Sequence, residues 1–158
     1  GFSNTKDLHS EFGSQLIIET PISGACIGGA AVGAAATNLV VPVVEVQIMD
    51  MVTLMMDNVV NQAAKWRFML GRNAQNIQHN HDNDETPQQQ TTTTVHMPIV
   101  IRGPQGGGHR LVAQHSQSLE SWFTSIPSLK VVMLSTPYDA KGLLLASIRD
   151  PNPVIFLE

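Results

Sequence analysis

Apolar residues fall into short runs along the chain, and these runs alternate with amphipathic stretches. Because strands covered by helices on both faces are apolar throughout, the alternation predicts an α/β domain with a mostly parallel sheet and helices on both faces. No internal repeat is evident. The runs predicted as strands are Leu16–Ile18, Leu39–Val46, Pro98–Ile101, Lys130–Leu134 and Val154–Leu157.

Two long helices are predicted in the first half of the chain. Ser23–Thr37 is small and apolar, and its Gly29 and Gly33 lie four residues apart, a spacing that lets a helix approach a neighbouring backbone closely. Met51–Leu70 has apolar residues at helical spacing, and Gly71 is expected to end it. The predicted buried stripe is Val52, Met55, Met56, Val59, Ala63, Trp66 and Leu70.

Helix signals in the second half are more local. Gln117–Ser125 is predicted as a short helix, and Thr136 and Pro137 have the residue types of an N-cap and a first helical position. Asp139 strengthens that start, and Asp150 with Pro151 stops the helix. Its predicted buried face is Ala140, Leu143, Leu144 and Ile148.

The segment Arg72–Val95 differs in composition from the rest of the chain. It is rich in Asn, Gln, His and Thr and has almost no apolar residue. We predict a disordered or loosely packed surface insertion whose deletion leaves the domain folded. His79 and His81 lie two residues apart in it, too few ligands for a metal site, so we expect solvated histidines. The glycine-rich stretch Gly103–His109 is neither a P-loop nor a dinucleotide fingerprint.

Composition narrows the class of protein. The net charge is −4, which argues against a nucleic-acid partner. Charged residues make up only 14%, so we expect much of the surface to be hidden in a larger protein or in an assembly. The single cysteine excludes an internal disulfide. We see no signal or transit peptide, and Asn38, Pro42 and Glu45 interrupt the most apolar stretch, so no membrane span is expected, although association with a membrane complex stays open.

Eight segments of the chain form a recognisable set of motifs: Thr20–Ile22, Gly28–Ala36, Ile99–Pro104, Ala113–Gln117, Leu119–Ser121, Ser125–Pro127, Ser135–Leu143 and Ile148–Val154. In order and spacing these motifs resemble the beta subunit of the pyruvate dehydrogenase decarboxylase component. The resemblance covers nearly the whole chain outside the 72–95 insertion. It is closer to the plastid and cyanobacterial subunit than to the mitochondrial one, which implies a plastid location, with the mitochondrial matrix as the alternative.

The resemblance implies one half of a thiamine-diphosphate enzyme, with a transketolase-type pyrimidine-binding domain. An alpha subunit supplies the diphosphate and magnesium site of that family through a Gly-Asp-Gly motif, which this sequence lacks, as expected of a beta subunit. We expect residues 1–158 to form a single domain of this kind, incomplete at its N terminus and without the family's C-terminal domain. A hetero-oligomer with an alpha-type subunit, or another multi-subunit assembly, is implied.

Two departures from the family pattern concern the cofactor. The family glutamate that hydrogen-bonds the pyrimidine ring corresponds to Gly24, which has no proton donor or acceptor in a side chain. A family aromatic residue that packs on the same ring corresponds to Met51, which can still pack softly. Glu19 and Glu45 match family acids of their own. Thiamine diphosphate is therefore implied by resemblance, but we expect that it is not bound.

Two further sites follow from the resemblance. His115 matches an active-site histidine, although a histidine retained by the fold for a loop hydrogen bond is the alternative. A potassium site of the family, built mostly from backbone carbonyls, maps to another set of residues, and a helix end capped by water or Arg149 is the alternative there. The potassium positions are Ile99, Ser147, Ile148, Asp150 and Asn152.

The sequence leaves two functions open. One is a catalytically silent relative of the beta subunit, kept as a structural or interaction subunit, and Gly24, Met51 and the polar insertion favour it. The other is an active beta subunit that converts pyruvate to acetyl-CoA with its partners. Thiamine diphosphate and an alpha subunit in purified material would distinguish the two.

Overall fold

The computed structural model describes residues 5–76 and 95–158, and a parallel four-stranded sheet lies at its centre. The strands are β1 Val43–Glu45, β2 Val100–Gly103, β3 Lys130–Met133 and β4 Val154–Leu157, in the spatial order β1-β2-β4-β3. Paired residues include Val43 with Val100, Ile101 with Ile155, and Lys130 with Val154. The predicted α/β class is confirmed.

Helices connect and cover these strands. The α-helices are α1 Leu8–Phe12, α2 Gly24–Ala36, α3 Ala64–Asn76, α4 Glu120–Thr124 and α5 Pro137–Ile148. Tighter 3₁₀ turns span Met49–Met55, Gly107–His109 and Ala113–His115, and a π-helical stretch covers Asn58–Ala63. No helix among the described residues has the length and apolarity to cross a bilayer.

The core has two parts, one on each face of the sheet, because successive strand residues point to opposite faces. Ile101 and Ile155 belong to the larger part, together with buried residues of α2, of the helical segment after β1 and of α4. Val154 and Phe156 belong to the smaller part, against which Leu144 of α5 packs. The predicted coverage of both faces is confirmed.

Two predicted strands differ from the structure. Leu16–Ile18 forms a turn and a bend, and the side chains of Leu16 and Ile18 are exposed, so the apolar run finds no sheet partner among the described residues. The predicted strand Leu39–Val46 shortens to β1, which is an edge strand of the described sheet. Its pairing begins at Pro42, whose carbonyl accepts from the Val100 N–H, and the residues before it are exposed.

The predicted helix Met51–Leu70 is present, but it continues past Gly71 to Asn76, so the prediction that Gly71 ends it is wrong. The first residues of the predicted insertion are therefore helical. The π-helical stretch has more residues per turn than an α-helix and rotates later side chains off the buried stripe. Leu70, predicted inside, is 41% exposed.

The start of α5 is confirmed: Thr136 Oγ1 accepts a hydrogen bond from the Asp139 N–H at 3.2 Å. The buried face of α5 differs from the predicted one. Ser147 is buried, while Leu143, predicted to be buried, is exposed. Most of the predicted insertion, including His79 and His81, lies outside the described residues, so its loose packing stays a prediction.

Candidate functional site

The topology gathers three predicted site residues at one edge of the sheet. The carboxyl ends of parallel strands share an edge, and the segments with Met51 and His115 follow β1 and β2 there. Gly24 begins α2, which runs back toward the start of β1, so it lies at the same edge. Ligands of open α/β sheets bind at this edge.

Gly24 is packed directly against the 3₁₀ turn Met49–Met55. A Cβ atom built on Gly24 would lie 2.6 Å from Leu54 Cβ, closer than real Cβ atoms come to one another. The atom it would meet is joined directly to the Leu54 backbone, so rotation of the leucine side chain gives no relief. The position therefore accepts no side chain unless α2 or the turn moves.

One helical turn later, Gly28 makes a second close approach. Its added Cβ would lie 2.8 Å from Met55 Cβ and 2.9 Å from Asn58 Oδ1. The predicted pair Gly29 and Gly33 is not the one used within the chain, since no atom lies within 4 Å of a Cβ added at Gly33. The contact uses the same four-residue spacing in a different register.

Asp50 joins the turn with Met51 to the segment with His115. Its side chain is only 3% exposed, and its Oδ1 accepts from both the backbone N–H of Gln117 at 3.1 Å and the Gln117 Nε2 at 2.9 Å. Sequence reasoning missed both residues. The available signal is an acid inside an otherwise apolar stretch, because such an acid needs partners if it is buried.

Met51 and His115 are both partly buried. Met51 packs against the larger part of the core, while the His115 Nε2 lies 3.1 Å from the Gln114 Nε2. The Nδ1 of His115 is buried and has no hydrogen-bond partner among the described residues. The structure thus brings the predicted histidine to the same edge as Gly24 and Met51.

Charged residues lie farther along this edge. Arg102 Nε donates to Glu158 Oε1 at 2.6 Å, and Glu45 accepts from Thr5 Oγ1 at 3.3 Å and lies 3.8 Å from Arg102 Nη1. The hydrogen bond to Glu158 raises the pKa of Arg102, against the effect of burial. An adjacent groove of about 230 Å³ is lined by Gln105, Gly106, Ser118, Met133, Leu134, Leu157 and Glu158.

Comparison with known proteins identifies the domain. Residues 85–158 match the family model described as transketolase, pyrimidine binding domain. The matched residues 85–158 thus belong to a transketolase-type pyrimidine-binding domain. A solved structure titled split gene transketolase, inactive beta4 tetramer, has the same fold, with a TM-score of 0.67 and 11% identity over 99% of this chain and 42% of that one.

Curated relatives extend the similarity beyond the family match. The chain is 46% identical over 154 residues to the acetoin:2,6-dichlorophenolindophenol oxidoreductase subunit beta of Bacillus subtilis (strain 168), covering 98% of this chain and 39% of that protein. It is 44% identical to the pyruvate dehydrogenase E1 component subunit beta of Gracilaria tenuistipitata var. liui, covering 98% and 41%. The chain spans about two fifths of the length of these relatives and is homologous to E1 beta-type subunits.

The observed packing does not fit the activation of thiamine diphosphate. The position implied for the pyrimidine-binding carboxylate is Gly24, and Leu54 occupies the space that a side chain there would enter. Glu19, five residues earlier, is exposed. At the position that the resemblance implies for the proton-exchanging group, the chain therefore has no side chain.

The positions implied for potassium lie at the opposite edge, just before β2 and β4. Among the described residues, no group of three or more His, Cys, Asp or Glu could hold a metal ion. Asp150 forms an ion pair with Lys130 through Oδ2, and its Oδ1 accepts from the Asn152 N–H and Nδ2 at 2.9 Å each. A cation here would be held mostly by main-chain carbonyls, and this site stays a prediction. Its positions are Ile99, Ser147, Ile148, Asp150 and Asn152.

Proposed function

We propose that this chain is the pyrimidine-binding part of a beta-type subunit that no longer activates thiamine diphosphate and is kept as a structural or interaction subunit of a larger assembly. The close packing of Gly24 on Leu54 carries this proposal. A proton-transferring side chain typically contributes about 10²–10⁴-fold to a rate, and the backbone of glycine cannot supply it.

The expected partner is an alpha-type subunit or another chain of such an assembly. Homology to E1 beta subunits supports this partner, and the relatives from red algae, which are plastid-encoded, support a plastid location. The low fraction of charged residues is consistent with a surface that is largely covered.

Reconstitution tests the proposal. The protein is combined with the alpha subunit that serves the Gracilaria relative, and pyruvate decarboxylation is measured with the Gracilaria beta subunit as the positive control. We expect a rate at least about 10²-fold below that control, because the carboxylate is missing. A rate equal to the control would overturn the proposal.

A rescue series then locates the cause. Gly24→Glu alone is expected to fail, because its Cβ meets Leu54 Cβ. Gly24→Glu combined with Leu54→Gly removes the clash and is expected to recover thiamine diphosphate binding, measured by calorimetry. Adding Met51→Phe restores the family aromatic residue. Full activity of Gly24→Glu alone would show that the turn moves easily and that Leu54 is unimportant.

An active beta subunit is the second candidate. The observation that favours it is the buried Asp50, which holds the segment with His115 in place. In an active chain the imidazole could move a proton at this edge. Thiamine diphosphate and an alpha subunit found together with the natural protein would support this candidate, whereas a different set of co-purifying chains would support the first.

A further inference from the structure

Two buried polar atoms lie on adjoining segments of the site without a hydrogen-bond partner among the described residues. They are Asp50 Oδ2 and His115 Nδ1. The turn Ala113–His115 packs against the turn Met49–Met55, so the two segments are in contact. Buried polar atoms are nearly always paired in native proteins, so each of these atoms needs an explanation.

The environment of His115 sets where its proton lies. Gln114 Nε2 is 3.1 Å from His115 Nε2, and an amide nitrogen can only donate a hydrogen bond. His115 Nε2 must therefore accept, and the neutral ring must carry its one proton on Nδ1. The buried Nδ1–H is left in need of an acceptor.

Asp50 has a buried acceptor atom that needs a donor, which complements the buried Nδ1–H donor of His115. Both hydrogen bonds from Gln117 end on Oδ1, which leaves Oδ2 of a 3% exposed carboxylate in need of a donor. The hold on Gln117 also fixes the chain two residues after His115. The carboxylate and the imidazole thus come from contacting segments with matching unused atoms.

We propose that Asp50 is the positioning residue of His115. One bridging water accepts a hydrogen bond from the Nδ1–H and donates one to Oδ2. This link fixes the ring with the Nε2 lone pair directed toward the exposed Gln114 side. This role holds whether the chain is active or silent, because it concerns the orientation and tautomer of the imidazole and not turnover.

Nitrogen NMR of the histidine rings, at a pH where they are neutral, tests the proposal. We expect the Nδ1–H tautomer to dominate at His115 in the wild-type chain. In Asp50→Ala the ratio of tautomers should change on the order of tenfold toward Nε2–H, because a charge-assisted hydrogen bond is lost. His96, on the opposite edge, is the internal reference and should not change.

Asp57→Ala is the matched control variant. Asp57 also accepts two hydrogen bonds, from Asn61 and Gln62. It is exposed, and it lies on the helix after the turn Met49–Met55, outside the turn that contains His115. A wild-type His115 in the Nε2–H form would overturn the proposal, as would an unchanged ratio in a folded Asp50→Ala. If Asp50→Ala fails to fold, Asp50→Asn keeps an oxygen for Gln117 without the charge, and its ratio should still move toward Nε2–H.

Discussion

At the scale of single residues, the contact between Gly24 and Leu54 limits which side chains this edge of the sheet can carry. Position 24 has no side chain, and the neighbouring turn fills the space that one would enter. A carboxylate cannot be restored there without moving main chain. The two positions are therefore expected to behave as a coupled pair in mutagenesis.

Gly24→Ala tests this coupling without any assay of activity. We expect it to lower the free energy of unfolding by about 1–3 kcal/mol, since overpacking against a rigid neighbour strains the fold. Gly33→Ala is the matched control, because its added Cβ meets no atom, and it should stabilise the helix by about 0.5–1 kcal/mol. Urea unfolding of both variants measures the difference.

In the double variant, Leu54→Gly should reduce the loss of folding free energy caused by Gly24→Ala. The reason is that it removes the Leu54 Cβ, which the alanine Cβ would otherwise contact. Strictly additive effects of the two substitutions would show that the helix and the turn relax independently, contrary to the close packing described.

At the scale of elements, Asp150 links the start of β3 to the loop before β4 through Lys130 and Asn152. Burial alone would raise the pKa of Asp150, but the hydrogen bonds from Lys130 and Asn152 outweigh it and hold the pKa below its ordinary value. The folded state therefore favours the ionised carboxylate. The resulting stabilisation is present at neutral pH and is lost as the pH falls through the folded pKa.

Asp150→Asn is accordingly expected to lose stability at pH 7 and to show a weaker decline than the wild-type chain below about pH 5. Lys130→Gln should weaken the same acid-dependent decline, because it removes the partner. Lys141→Gln, the same change on an exposed lysine of α5, is the control and should keep the wild-type profile. The urea midpoints of all variants are measured from pH 7 to pH 3. Identical pH profiles for all variants would contradict the assigned role of Asp150.

The sequence predicts those elements whose signals are local. β4 is a continuous apolar run, and α5 starts with a capping threonine followed by proline, so both were predictable. The rotation of Leu70 off the stripe follows the π-helical stretch, which has no clear local signal in the sequence. The continuation of α3 past Gly71 has no clear local signal either. Gly24 was found by resemblance, but the role of Leu54 needs the packing of two elements that are distant in sequence.

At the scale of the whole molecule, the described residues leave large apolar side chains in solvent. Ile22 is 93% exposed, Leu39 86% and Tyr138 90%. The helix α2 contains no charged residue, and its exposed positions include Cys26, Ala30 and Gly33. Surfaces of this kind are usually covered by a partner, so we expect α2 to lie in or near a subunit contact.

Ala30→Lys tests that contact, because a lysine placed in an apolar interface must be desolvated. We expect the wild-type chain to run as an oligomer in light-scattering chromatography, and the variant to shift toward the monomer with an unchanged melting temperature. Ser121→Lys, an exposed position on α4, should leave the assembly intact. A wild-type chain that remains a stable 17 kDa monomer would contradict the expectation.

The strand order has a consequence for biosynthesis. β4 is the last of the described strands to leave the ribosome, yet it lies between β2 and β3 and is the partner of both. Until Val154–Leu157 has been made, β2 and β3 have no common neighbour and the two parts of the core cannot close. A chain that stops after Asp150 is therefore expected to show no cooperative melt, and nascent chains stalled before this point should remain sensitive to protease.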